Sequence, residues 1–397
     1  MNNPLLKYVQ INSFKSVFEQ KIELGLVNVF IGANGSGKSN ILEALGVVSA
    51  AASGRVDDES LKRRGVRPGV PRLYKSSFPG QHMRPDIFFE VGNQDASYSV
   101  SLNNPLERPR PAWLYKTENL QSGTERIVSR NPKIAKNSEQ GLAALKLVEL
   151  EESDPAVRLM SLLRDYAIYS PNTTLLRGLS SDPQTREPVG LGGGLLADAV
   201  REMQNGAGKS EFMEEALAEI VGMIDWIKDF DVTGAVENIL APSVARPKNV
   251  LRFRDRYMRP GKNTLTAYDA SEGVLYVLFC AVLALLPNAP KCSAIDNLDH
   301  ALNPRLLTKL IESMCHWIIT NPVPRQLLFT AHNPAVLDGL PLDNDKIRLF
   351  AVDRNSNGHT VVNEVKITDQ LRDLNKQKGW PLSHLWVMGH LGGVPNV

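Results

Sequence analysis

Cysteine is scarce in this sequence. Three occur in 397 residues: Cys280, Cys292 and Cys315. They lie in apolar runs with no Cys-x-x-Cys spacing and no histidine pair nearby. That excludes a disulfide framework and a structural zinc site, and leaves buried, reduced thiols. Long hydrophobic runs are also missing. The longest, Val274 to Leu286, falls short of the ~20 residues that span a bilayer and reads as a buried helix. Met1-Asn2-Asn3-Pro4 lacks the basic-then-apolar pattern of a secretion signal, so a soluble, cytoplasmic protein without a membrane partner is expected. There is no strong charge of one sign. A net charge of +2 does not demand nucleic acid, and it leaves room for local basic patches. No heptad pattern persists long enough for a coiled coil, and no internal repeat is visible.

What is present is an ordinary globular composition, 43% apolar and 22% charged. At about 100–200 residues per domain, the length suggests two lobes or one enlarged α/β domain with insertions. Strands are expected at Leu6–Ile11, Gln20–Leu24, Val27–Ile31, Asp86–Val91 and Ser97–Leu102, with a helix from Ser39 to Val48. Helical spacing follows in Ser138–Glu152, Asp154–Tyr169, Leu195–Asn205 and Glu211–Lys228. Strand–helix alternation returns after Val250. Val250–Tyr257, Cys292–Asp296 and Gln326–Ala331 read as strands, Ser271–Leu286 and Pro304–Thr320 as helices. Ile347–Asp353 and Thr360–Ile367 form a closing hairpin. This alternation implies a largely parallel sheet. The expected organisation is one domain built from residues 1–135 and 246–397, with a helical subdomain, 136–245, inserted between them.

The most specific feature is Gly32-Ala33-Asn34-Gly35-Ser36-Gly37-Lys38-Ser39, set between a strand and a helix. Backbone N–H groups wrapped around phosphate need glycines, because side chains would block the approach. Lys38 places a charge on β/γ-phosphates, and the Ser39 hydroxyl can ligate Mg²⁺. The helix N-terminus adds its dipole. ATP with Mg²⁺ is the expected ligand.

Three further pieces follow in order. Ser271-Glu272-Gly273 opens an apolar helix. Ser293-Ala294-Ile295-Asp296 is an apolar strand ending in a carboxylate, where a Mg²⁺-associated Asp sits in phosphate-loop NTPases. Leu327 to Ala331 is an apolar strand leading into His332. With Asn12-Ser13-Phe14-Lys15-Ser16 near the start and the loop from Gly32 to Asn40, this order resembles the compact ABC-type ATPases of the RecF/SMC group. The resemblance covers roughly residues 5–50 and 250–355. It implies an α/β fold of the ABC-type phosphate-loop class, with a mixed sheet. It also implies nucleotide contacts from Lys15 and from Asn34 through Asn40, a metal held by Ser39 and Asp296, a signature motif at Ser271 and Gly273, and a switch histidine at His332. It further implies an ATP-clasped homodimer or higher even oligomer, in which one subunit's Ser271 and Gly273 close on nucleotide held by the other. Such compact ATPases often accompany a nuclease or other effector in antiphage and DNA-maintenance systems.

One position departs from that pattern. The residue after the Walker B aspartate is normally Glu, and here it is Asn297, which cannot accept a proton at neutral pH. A D-loop aspartate is likewise replaced by Asn303. Either hydrolysis is slow and the ATP-bound dimer is a lasting scaffold, or Asp299 takes over the positioning of water. Basic residues gather at Lys62 to Lys75 and at Arg252, Arg254 and Arg256, which share one face of a strand. They suit a phosphate backbone, a solvated face or an acidic partner equally. Gln81 is a candidate Mg²⁺-sensing glutamine by position alone. No nuclease carboxylate cluster is evident, so a nuclease partner is expected on a separate chain. The alternative is a RecF-like ATPase that loads on DNA itself.

Overall fold

The computed structural model describes residues 5–131, 133, 137–142, 150–208, 210–234, 240, 248–366 and 380–389. At its centre lies β3 (Val27–Ile31), every residue of which is buried. Unbroken burial is why this strand reads as a continuous apolar run rather than an alternating one. Its polar exception, Asn28, is satisfied locally. Its Oδ1 accepts from Gly25 N–H at 2.7 Å and its Nδ2 donates to Gly25 O at 2.9 Å.

On either side of β3 run parallel strands from the far end of the chain, β13 (Gln326–Ala331) and β14 (Ile347–Arg354). Next to β13 come β12 (Cys292–Ile295) and then the two-residue β8 (Ile168–Tyr169), also parallel. Antiparallel β15 (Thr360–Glu364) closes the other edge.

A second six-stranded sheet is wholly antiparallel. It contains β1 (Tyr8–Phe14), β2 (Val17–Glu23), β4 (Asp86–Gly92), β5 (Ala96–Asn103), β6 (Leu114–Ser122) and β7 (Glu125–Arg130), in the order β2-β1-β4-β5-β6-β7. Between the two sheets lies α1 (Lys38–Ala52), buried along most of its length. Its Ile41, Leu42, Leu45 and Val48 join Phe89 and Val100 of one sheet to Phe30, Leu328 and Phe350 of the other. On the opposite face of the parallel sheet, Val29, Ile31 and Phe329 pack with α7 (Glu272–Leu285) and α8 (Pro304–Thr320). From Val274 to Leu285 every residue of α7 is buried, so its sequence is apolar all round rather than striped.

Between the halves come α2 (Asp58–Lys62), α3 (Pro155–Asp165), α4 (Thr173–Leu176), α5 (Leu196–Ala207) and α6 (Glu211–Met223). A three-stranded sheet, β11-β10-β9, follows from β9 (Ile227–Gly234), β10 (Asn249–Asp255) and β11 (Thr264–Thr266). Several elements differ from the sequence expectation. The helix expected over 154–169 stops at Asp165, because Ile168 and Tyr169 leave it to pair with Ala294 and Ile295. The helix expected to reach Lys228 ends at Met223, and Ile227 opens β9. Of the helix expected over Ser138–Glu152, 143–149 lie outside the described residues, and 138–142 and 150–152 are not helical. Strands β6 and β7 were unforeseen. An inward position of β6 is held by the buried carboxylate of Glu118, bonded to Tyr98 OH at 2.9 Å, which hides the apolar alternation.

Leu385 and Trp386, on α10 (Leu382–Val387), pack into the core beside the short α9 (Ala335–Asp338), while 390–397 lie outside the described residues. The three cysteines are buried and unpaired, and burial pushes each thiol up to about 12. Among the described residues no helix is long and apolar enough to cross a membrane.

Candidate nucleotide-binding site

Strand β3 delivers its last residue, Ile31, straight into the glycine loop, and α1 begins at Lys38. The glycines at Gly32 and Gly37 are sterically required. A Cβ at Gly32 would lie 2.1 Å from Val352 O, and one at Gly37 would lie 2.1 Å from Thr360 Oγ1. Gly37 also has φ +109°, a conformation L side chains rarely adopt. Asn34 and Gly35 form the exposed tip, and Ser36 is buried with its hydroxyl unpartnered. Lys38 Nζ donates to the carbonyls of Gly32 (2.8 Å) and Ala33 (2.9 Å). Burial lowers this amine to about 8 against the opposing pull of Asp296 and Asp299.

The end of β12 carries Asp296 to the loop. Ser39 Oγ donates to its Oδ1 at 3.0 Å, and Thr330 Oγ1 donates to the same oxygen at 2.6 Å. Thr330 also accepts the N–H of Asn297 at 2.8 Å. Asn297 itself sits at φ +54°, in the left-handed region that Asn tolerates better than most residues.

His332 joins this group on two sides. Its Nδ1 lies 3.2 Å from Lys38 Nζ and its Nε2 lies 3.1 Å from Asn297 Oδ1. A protonated lysine only donates, so Nδ1 accepts, and the ring proton sits on Nε2 and goes to Asn297. Burial, then the neighbouring Lys38 charge, hold the imidazole below its usual value, which favours this neutral tautomer. Asp299 acts on backbone. Its Oδ2 accepts the N–H groups of His332 (2.8 Å) and Asn333 (2.5 Å), tying the histidine loop to the turn after β12.

On the outer side of α1, Glu43 is buried between two cations. It pairs with Lys15 Nζ and, at 2.7 Å, with Arg67 Nε. Arg67 also donates to Asn40 Oδ1 at 3.1 Å. Beside the loop opens a cavity of about 650 Å³ lined by Lys15, Asn40, Arg67, Arg72, Tyr74 and Arg354, among others. Sequence reasoning missed Arg67, Thr330, Arg354 and Thr360. Thr330 lies within the strand that leads into His332 and Arg67 within the basic stretch, but only the fold brings these side chains to the site.

Two expected site residues stand apart. Ser271 is exposed, and although it occupies the N-cap of α7 its hydroxyl makes no bond to that helix. It lines a separate cavity of about 740 Å³ with Trp226, Asn303 and Arg305, to which no residue of the glycine loop contributes. Gly273 backs onto the carbonyl of Ala301, 3.4 Å from where its Cβ would be. Gln81 is not beside Ser39. Its Nε2 lies 3.4 Å from His359 Nε2, in the β14–β15 turn.

The basic stretches are largely satisfied internally. Arg252 pairs with Asp231, and Arg254 with Asp229 and Asp231. Arg256 donates to Ile227 O. Arg64 is buried against Ser49 and Ser53. The shared arginine face of β10 therefore carries matching aspartates from β9.

Comparison with known proteins gives the family and the fold. Residues 27–338 match the sequence profile of a family described as "AAA domain, putative AbiEii toxin, Type IV TA system". The chain belongs to this family. Within the AAA-domain region lie the loop, Asp296 and His332. Curated relatives include the DNA replication and repair protein RecF of Leifsonia xyli subsp. xyli, 31% identical over 127 residues, which covers 27% of this chain and 32% of the relative. RecF of Renibacterium salmoninarum is 44% identical over 71 residues, 17% of each chain. The AAA-domain protein thus spans a third or less of the length of these relatives.

Among solved structures, the SmcHead bound to the C-winged helix domain of ScpA superposes with TM-score 0.55 at 12% identity, covering 92% of this chain and 99% of that one. An Smc head domain with an extended coiled coil, bound to the C-terminal domain of ScpA derived from Pyrococcus furiosus, gives 0.53 at 10%, covering 94% and 99%. At such identity the likeness is one of fold. The AAA-domain protein is a RecF/SMC-like ABC-type ATPase, with the α/β architecture and mixed sheet of that class.

Proposed function

We propose that this ATPase binds ATP with Mg²⁺, and that two copies close around the nucleotide into a lasting dimer serving as sensor and scaffold for a partner effector. The observation that carries this reading is the uncommitted helix N-terminus at Ser271. Its hydroxyl is free, its helix carries the positive end of a dipole, and it lies away from the loop of its own chain. An anion presented by a second copy would complete it.

The loop residues fit a triphosphate and a divalent cation. Nothing lies within 4 Å of where a Cβ at Gly35 would stand, and the buried Ser36 hydroxyl lacks a partner. Lys38 would hold the β- and γ-phosphates, and Ser39 and Asp296 the cation, whose remaining ligands come from phosphate and water. Mg²⁺, when bound, neutralises phosphate charge. His332 donates from Nε2 to Asn297 and accepts from Lys38, so it links the loop to the position where a general base is needed. Asn297 cannot act as that base, which supports slow hydrolysis. The two backbone hydrogen bonds to Asp299 support a tethering role rather than activation of water.

A role in defence fits the family description, which names a putative toxin of a Type IV toxin–antitoxin system, and a nuclease on another chain is the effector proposed for it. A RecF-like ATPase acting on DNA is the second reading, favoured by the names of the curated relatives. Internal pairing of Arg252 and Arg254 weighs against β10 as its DNA-binding face.

Light scattering of the purified chain with and without Mg²⁺-ATP tests the dimer. Mass should double with ATP, and both Lys38→Ala and Ser271→Arg should abolish the change. Mass independent of ATP would reject the dimer, and brisk single-turnover cleavage would reject slow hydrolysis. Co-purification of a nuclease, or binding of DNA with a steep salt dependence, separates the two biological readings.

A further inference from the structure

The β14–β15 hairpin, more than 300 residues from the glycine loop in sequence, grips two consecutive carbonyls of that loop. Arg354 Nε donates to Gly35 O at 3.1 Å, and Thr360 Oγ1 lies 2.7 Å from Ser36 O. Thr360 is buried, and its hydroxyl also lies 2.7 Å from Ser16 Oγ. Ser16 Oγ in turn lies 2.6 Å from Asn40 Nδ2.

The direction of each proton in this chain is forced. A carbonyl only accepts, so Thr360 must donate to Ser36 O. Its oxygen is then free to accept from Ser16, and Ser16 accepts from the Asn40 amide. Asn40 is oriented by Arg67, which donates to its Oδ1, and Arg67 is held by the buried Glu43. Donation therefore runs one way, from Arg67 through Asn40, Ser16 and Thr360, and ends on a single loop carbonyl, while Glu43 accepts from Arg67 and anchors its start.

That endpoint matters because a trans peptide points its C=O and N–H in opposite directions. Fixing Ser36 C=O outward on Thr360 turns the N–H of Gly37 toward the opposite, concave side of the loop. We infer that Thr360 is a positioning residue that sets the Ser36–Gly37 peptide for anion binding, so that the Gly37 N–H faces a nucleotide phosphate. The inference rests on the nucleotide reading given above. It also explains why Gly37 carries no side chain on that side, since the Thr360 hydroxyl occupies the space a Cβ would need.

The test is equilibrium titration of the full chain with a fluorescent ATP analogue and Mg²⁺, comparing wild type, Thr360→Val and Thr360→Ser, with thermal melting of each. Valine keeps the shape and removes the hydroxyl, and serine keeps the hydroxyl. Thr360→Val should weaken binding by about 3- to 10-fold, the range of one net hydrogen bond, while Thr360→Ser restores it. Wild-type affinity in the valine variant overturns the proposal. Equal weakening in the serine variant overturns it too, since that would place the effect in methyl packing. Failure of the wild-type chain to bind any nucleotide overturns the nucleotide reading and this inference with it. Should the valine variant melt too low to assay, amide hydrogen exchange at Gly37 in the serine variant and wild type replaces it. Protection that nucleotide leaves unchanged in both overturns the proposal.

Discussion

At the scale of single residues, the proposal of nucleotide binding with slow turnover turns on Asn297. Restoring a carboxylate there should raise the single-turnover cleavage rate by about 10-fold or more, given that general-base catalysis contributes on that order or above. Asn297→Asp is the gentler change, because aspartate also tolerates left-handed backbone, whereas glutamate at φ +54° costs roughly 1–2 kcal/mol. Unchanged turnover in both variants would show that Asn297 is not what limits cleavage. Asp299 makes a different prediction. Asp299→Ala should free the amides of His332 and Asn333, seen as faster hydrogen exchange at those two positions, while Asp299→Asn largely preserves protection because its carbonyl still accepts. Equal protection in wild type and the alanine variant would remove the tether. The motif residues were legible in the sequence because each is a rare type at a fixed place beside a strand end. Thr330 and Thr360 were not, because a buried threonine on a strand is ordinary until the fold shows which hydroxyl faces Asp296 or Ser36.

Among the elements, the pairing of α1 with the sheet behind it depends on Glu43. Burial alone would raise this carboxyl. The Arg67 hydrogen bond, the Lys15 charge and hydrogen bond and the Arg67 charge together outweigh that, so its pKa lies below the ordinary value. A depressed carboxyl contributes stability above its unfolded value of about 4.5 and loses that contribution as pH falls through its folded value. Melting temperature should therefore drop below pH about 4.5 more steeply in wild type than in Glu43→Gln, with the variant less stable at neutral pH. Parallel pH profiles would contradict this. Gly37→Ala should weaken nucleotide binding by at least 10-fold, on the scale of about 1–3 kcal/mol for a strained backbone position, without loss of the fold by circular dichroism. The parallel strands β3, β12 and β13 were readable as short apolar runs between turn signals. Strand β8 was not, since two residues carry no period of their own. Nor was β6, whose inward Glu118 is accommodated by partners that include Tyr98 and the backbone of Leu142.

At the scale of the whole molecule, the proposed function gives each chain two half-sites for an anion, the glycine loop and the N-terminus of α7. If two copies assemble around nucleotide, each site is completed by the other copy. A mixture of Lys38→Ala and Ser271→Arg chains should then recover partial ATP-dependent dimerisation, because a mixed pair retains one intact composite site. Mixtures no better than either variant alone would count against completion in trans.

The neighbours of β3 carry a consequence for biosynthesis. Both its partners, β13 and β14, lie roughly three hundred residues downstream. An emerging polypeptide therefore holds its glycine loop through roughly three hundred residues of synthesis without the strands that frame it, and pairing at such sequence distance is slow to form. Until Gln326 and Ile347 have left the ribosome the loop has no sheet to hang from. The proposed grip on phosphate should thus arise only after Ile347 has emerged, rather than when the motif itself is made.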